Sequence, residues 1–211
     1  ADSFLKKFNV EASYFDPMIG DDIAKHIRSN TKVVFTEAPG SLTFEVQDIP
    51  AIARATHQAG AILVMDNTWS AGYHFKPFEH GVDISIQAAT KYLVGHSDAM
   101  LGTVTTNDEN LWKHVKIAQV GLGYATGPDD CYLGVRGMRS LAARMQRHEQ
   151  TGLKLARWLA AQPEVETVLH PALPSCPGHE IWQRDFTGSS GLFGLVLKEG
   201  PDSIALARML D

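Results

Sequence analysis

The sequence predicts an α/β fold, a mostly parallel sheet with helices on both faces. Three observations point there. Short, continuously apolar runs recur through the first part of the chain, and amphipathic helical stretches separate several of them. The composition is that of an ordinary globular chain: 211 residues, 44% hydrophobic, 20% charged and 9% aromatic, with a net charge of −5. Such a chain is too apolar to be disordered. No apolar run reaches the roughly 18–20 residues that a membrane-spanning helix needs. Its scattered Lys and Arg form no basic patch for nucleic acid.

In chain order, Phe8 to Phe15 alternates apolar and polar residues and reads as a strand ending at the turn pair Asp16-Pro17. Asp21 and Asp22 open a short helix to about Arg28, and the β-branched run Lys32 to Thr36 reads as a strand. Asp48 is placed to cap a helix from Ile49 to Gln58, with Pro50 in its first turn and Gly60 beyond its end. Ala61 to Met65, Val82 to Gln87 and Leu101 to Thr105 read as further strands. One long helical periodicity covers about Asp130 to Ala161. Ser190 to Lys198 then reads as a strand, and Asp202 as the cap of a last helix. The texture changes near residue 140. Residues 1–140 are therefore expected to form the main α/β unit, and 141–211 a linking helix and the start of a smaller α+β unit.

In such sheets ligands gather at the carboxyl ends of the strands, so the polar residues just past each strand are the candidates. These are Glu37, Asp66 and Asn67, and Thr90 with Lys91. Asp66 directly follows Ile62-Leu63-Val64-Met65, where a carboxylate is half-buried and needs a partner. A turn or helix-cap role is the plainer alternative for it. Lys91 follows the run Ser85 to Thr90, and a lysine at a strand end can be desolvated into a nucleophilic amine. One crossover separates the two, so they can face a single ligand. A lysine amine paired with an aspartate suits pyridoxal phosphate, which takes a Lys through its aldehyde and an Asp at its ring nitrogen.

The stretch Asp83 to Ser97, with Ala88-Ala89-Thr90-Lys91-Tyr92 at its centre, resembles the cofactor-attachment signature of the Cys/Met-metabolism pyridoxal-phosphate enzymes. Glu37-Ala38-Pro39-Gly40-Ser41 is similar to that family's Glu-Ser-Pro loop, and Asp66-Asn67-Thr68-Trp69 to its Asp-Asn-Thr segment. Arg136-Gly137-Met138-Arg139 is similar to the entry of its long interdomain helix, and His170-Pro171 to a later His-Pro pair. The resemblance implies a fold-type I architecture. It makes Lys91 the catalytic residue that holds pyridoxal 5'-phosphate, with Asp66 at the ring nitrogen and Thr90 at the phosphate. Asn67 and Ala88 join this cofactor-binding set, although Ala88 stands where many relatives have Ser. Ser41 stands where many γ-eliminating relatives have Asn, which leans toward β-elimination.

The implied activity is carbon–sulfur cleavage of a sulfur amino acid such as L-cystathionine, in methionine biosynthesis. A γ-acting relative is the alternative, and a piece that keeps only the fold is a second. The implied assembly is a homo-oligomer, a tetramer built from dimers, with a small-molecule substrate and neither nucleic acid nor membrane as partner. No metal site is expected, because His148-Glu149 lacks the second His of a zinc helix motif. Cys131 and Cys176 fit no ligand spacing and suit free thiols in a reducing cytoplasm. Ala1 to Phe8 shows no signal-peptide pattern. Family members are longer than this chain, which is expected to be the middle of a two-domain enzyme. Residues 1–211 alone are expected to be inactive and poorly stable.

Overall fold

The computed structural model describes residues 2–198 and 207–208. A short helix α1 (Asp2–Leu5) leads through two 3-10 turns, Lys6–Phe8 and Gly20–Lys25, to strand β1 (Val33–Glu37). Helix α2 (Ile49–Gln58), β2 (Ile62–Asp66), a 3-10 turn (Pro77–His80) and β3 (Ile84–Gln87) follow, then β4 (Thr103–Thr105). Three helices come next: α3 (Glu109–Gly121), α4 (Pro128–Met138) and α5 (Leu141–Ala160). The described chain closes with β5 (Val165–Leu169), α6 (His179–Asp185) and β6 (Gly194–Leu197).

The main sheet has the order β1-β2-β3-β4. β1, β2 and β3 run parallel and β4 is antiparallel to β3, while β5 and β6 form a separate antiparallel pair. The parallel part arises because each of its strands is too short and apolar to stand in water, and a crossover returns the chain to the same end. The β1–β2 crossover contains α2, which starts where the sequence predicts. Asp48 Oδ1 accepts from the Ala51 amide at 3.1 Å, Pro50 sits in the first turn, and Gly60 follows with φ 72°. Ile49, Ile52 and Ala53 pack with Val34, Leu63 and Met65 into the main core.

Register decides which residues share a face. Val34 pairs with Leu63 and Thr36 with Met65, so these side chains face α2. Glu37 pairs with Asp66, and Asp66 with Ile86, so the strand-end carboxylates lie on the opposite face. On that face Phe35 is 52% exposed.

Cys176 and Phe186 also belong to the main core, with Leu169, Ile181 and Trp182 packed against it. The indole of Trp69 donates to the Leu192 carbonyl at 2.9 Å, and Val46 donates its amide to Pro177 at 3.0 Å. Residues beyond 140 are thus bound into the same core as those before it.

Three sequence expectations change. Phe8 to Phe15 is not a strand: Asn9 turns left-handed at φ 56°, and the following residues pair with no strand among the described residues. Alternation alone does not make a strand when the segment pairs with no sheet edge. The expected single helix over 130–161 is two helices, broken at Arg139-Ser140, because both halves share one periodicity and only their packing separates them. The strand expected from Ser190 begins only at Gly194, while β5 and α6 were not anticipated. The Asp202 cap lies outside the described residues.

Candidate active site

The two strand-end turns are tied together by their own polar groups. Asp66 Oδ1 accepts from the Thr68 amide at 2.9 Å, and Thr68 Oγ1 accepts from the Ala88 amide at 2.8 Å. The β2 turn carrying Asp66 therefore fixes the position of the β3 turn carrying Lys91. Ala88 contributes this through its backbone, which a Ser there would share. Asn67 is fully buried; its amide donates to the Phe75 carbonyl at 3.3 Å and its carbonyl accepts from the Ser70 hydroxyl. Both ends of Asn67 thus brace the turn that aims Asp66.

Thr90 is held by Leu101. Its amide donates to the Leu101 carbonyl at 2.9 Å, its hydroxyl donates to the same oxygen at 3.1 Å, and Leu101 returns its amide to Oγ1 at 2.8 Å. In this arrangement the Thr90 proton is already committed. After Lys91 the chain closes a tight turn, with Val94 donating to Ala89 at 2.9 Å and Gly95 to Lys91 at 2.8 Å. Lys91 itself is exposed, and its ammonium forms no hydrogen bond or ion pair among the described residues.

Asp66 and Lys91 both act on Glu37. Burial raises the Glu37 carboxyl above its usual range, the Asp66 charge raises it further, and the Lys91 ammonium opposes the shift. Carboxylates on adjacent strand ends and one lysine thus share a single electrostatic neighbourhood. Beside Lys91 opens a broad cavity of about 800 Å³, whose walls include Thr90, Tyr92, Asp98, Asp130, Arg144 and His148. Asp66 and Glu37 do not line it, whereas Lys91 both lines it and acts on Glu37.

Sequence reasoning missed several of these wall residues. Tyr92 meets His148 edge-on at 5.5 Å between ring centres, and Arg136 pairs with Asp98 at 2.6 Å. No local signal marks Arg144 or Asp130, which reach the cavity only because α4 and α5 pack against the lysine turn. His96 hydrogen-bonds the Val94 carbonyl through Nδ1 at 2.7 Å, a structural contact. Cys131 is an exposed free thiol and Cys176 a buried one.

An exposed, unpaired amine and a half-buried Asp on turns tied to one another, with an open cavity beside the amine, fit an aldehyde cofactor bearing a basic ring nitrogen. Comparison with known proteins agrees. The family model described as Cys/Met metabolism PLP-dependent enzyme matches residues 1–210. The chain is 52% identical over 202 residues to a putative cystathionine β-lyase of Rhizobium johnstonii, covering 95% of this chain and 51% of that protein. It is 51% identical over 209 residues to the cystathionine β-lyase MetC of Escherichia coli K12, covering 98% and 53%. A crystal structure of cystathionine γ-lyase from Lactobacillus plantarum superposes with a TM-score of 0.91 at 30% identity, covering 94% of this chain and 52% of that one. The chain spans about half the length of the curated relatives it matches. It belongs to the Cys/Met-metabolism family of pyridoxal-phosphate-dependent enzymes.

Proposed function

We propose that this chain carries the cofactor-binding part of a carbon–sulfur lyase that cleaves L-cystathionine by β-elimination, yielding homocysteine, pyruvate and ammonia. The observation that carries the reading is the unpaired Lys91 amine on the β3 turn, which Thr68 ties to the β2 turn carrying the strand-end carboxylate Asp66. Pyridoxal phosphate, when bound, supplies an electron sink for charge developing at the substrate Cα. The residues do the rest. Lys91 holds the cofactor and, once displaced by the substrate amine, takes the Cα proton on Nζ as general base. Asp66 keeps a proton on the ring nitrogen through its carboxylate, while Asn67 and the Ala88 amide keep Asp66 and Lys91 in register. Thr90 is the phosphate ligand in this reading, and its hydroxyl would exchange Leu101 for a phosphate oxygen.

In this reading residues 1–140 belong to the cofactor-binding unit and 141–211 begin the second, smaller unit. The whole protein is a homo-oligomer of the cytoplasm, acting on a small sulfur amino acid. No helix among the described residues is long and apolar enough to cross a membrane.

The test is chemical. In the protein carrying this sequence, Lys91→Ala is expected to lose the visible absorbance of bound cofactor that borohydride abolishes in the wild type. Retention of that band at wild-type level would remove Lys91 from its role. Asp66→Ala is expected to keep some cofactor while losing about 10²–10³-fold in turnover, the scale of removing one charge-stabilising group. A γ-acting relative, cystathionine γ-synthase, cystathionine γ-lyase or methionine γ-lyase, is the second reading, supported by the γ-lyase structure that superposes with a TM-score of 0.91. Product analysis separates them: the β-lyase releases pyruvate, and γ-elimination gives 2-oxobutyrate.

A further inference from the structure

We propose that Arg144 is a positioning residue that clamps the turn bearing Lys91, an inference that rests on the role of Lys91 given above. Arg144 lies in the first turn of α5, yet its guanidinium reaches back to the lysine turn. Nη1 donates to the Tyr92 carbonyl at 2.7 Å, and Nη2 donates to Gly137 at 2.9 Å and to Leu93 at 3.4 Å. Nε donates to the Ser140 hydroxyl at 3.0 Å. Tyr92 and Leu93 are the two residues immediately after Lys91. One planar fork therefore ties them to the last turn of α4 and to the break before α5.

Three other features point the same way. Gly95 adopts φ 76°, and a Cβ there would run into the Arg144 guanidinium. Gly137 brings α4 so near the turn that a Cβ would collide with the carbonyls of Leu93 and Val94. Gly134, one turn earlier on α4, makes room for Leu101, the residue that holds Thr90. Lys91 is thus gripped on both flanks: Thr90 by Leu101, and Tyr92-Leu93 by Arg144. Its side chain alone is left free. No carboxylate pairs with Arg144 among the described residues, and burial lowers the pKa of its guanidinium. An arginine kept partly buried for carbonyls alone serves the backbone it holds, because charge-assisted hydrogen bonds are about twice as strong as neutral ones. A lysine could not replace it, since a point ammonium cannot fork across several carbonyls.

Hydrogen exchange on the intact protein, stripped of cofactor, is the test, read on the peptide spanning residues 89–95. Arg144→Met is expected to speed exchange at the Val94 and Gly95 amides about tenfold or more, the scale of losing charged hydrogen bonds. Exchange in β1 and β2 should stay at the wild-type rate, and pyridoxal phosphate should load onto Lys91 about tenfold more slowly, measured by borohydride trapping and peptide mapping. Arg144→Lys should fall between the two, and it decides the matter if the Met variant does not fold. Unchanged exchange in the turn, exchange rising equally across the protein, or wild-type behaviour of Arg144→Lys would each overturn the clamp. Trapping on a different lysine in the wild type would instead overturn the reading of Lys91, and the positioning role with it.

Discussion

His170 shows how burial alone gives one residue a pH signature. Its side chain is 0% exposed, Nδ1 accepts from the Ala172 amide at 3.1 Å, and Nε2 meets no partner among the described residues. Burial, with Arg157 adding to it, pushes its pKa from 6.5 down to about 4. The neutral form is therefore favoured in the fold, and the unfolded chain binds a proton that the native protein refuses. Stability from this group is full above about pH 6.5 and is lost as pH falls toward 4, by up to about 3 kcal/mol. His170→Asn preserves an acceptor for Ala172 and should flatten stability between those limits, read by chemical denaturation at a series of pH values. Asp48 acts in a lower window. Burial would raise its carboxyl, but Arg184 and the Ala51 amide hold it below the usual 3.8, so its contribution survives until more acidic pH. Asp66 and Lys91 were legible as candidates because strand ends are where such chemistry collects. The burial of His170 and the reach of Arg144 were not, since both depend on what the fold packs against them.

At the scale of elements, the contact between α4 and the lysine turn has the least tolerance. Gly137→Ala places a methyl against the Leu93 and Val94 carbonyls, and backbone cannot yield as a flexible side chain can. Overpacking of this kind costs about 1–3 kcal/mol. A lowered melting temperature with slower cofactor loading is expected, whereas wild-type melting would show that the helix simply shifts. The same junction explains why the sequence read one helix where two exist. Periodicity runs through Arg139-Ser140 unbroken, and only the need to seat Gly137 on the turn bends the chain there. α2 was readable to the residue because its cap, its Pro and its apolar face all lie within the segment itself. The false strand at 8–15 failed for the opposite reason: its fate depended on a neighbour that the described structure does not offer.

At the scale of the whole molecule, the chain carries apolar faces that nothing among its described residues covers. α3 buries none of its residues, with Trp112 55% exposed and Ile117 and Val120 each 69% exposed. Phe35 adds a second apolar patch at the sheet edge. Residues 1–211 expressed alone are expected to self-associate, sedimenting well above the 23.1 kDa of one chain. A clean monomer at micromolar concentration would contradict that expectation. The fold class was legible from the short apolar runs and the helices between them, and the family from the lysine and aspartate segments, whereas the grip of α4 and α5 on the lysine turn emerged only from packing. Lys91 is the residue on which cofactor binding rests in the proposed function. Borohydride reduction of the loaded protein, followed by proteolysis and mass mapping, tests it most directly. One pyridoxyl group per chain, on the peptide containing Lys91, is the expected result. A label on any other lysine, or none at all, would contradict it.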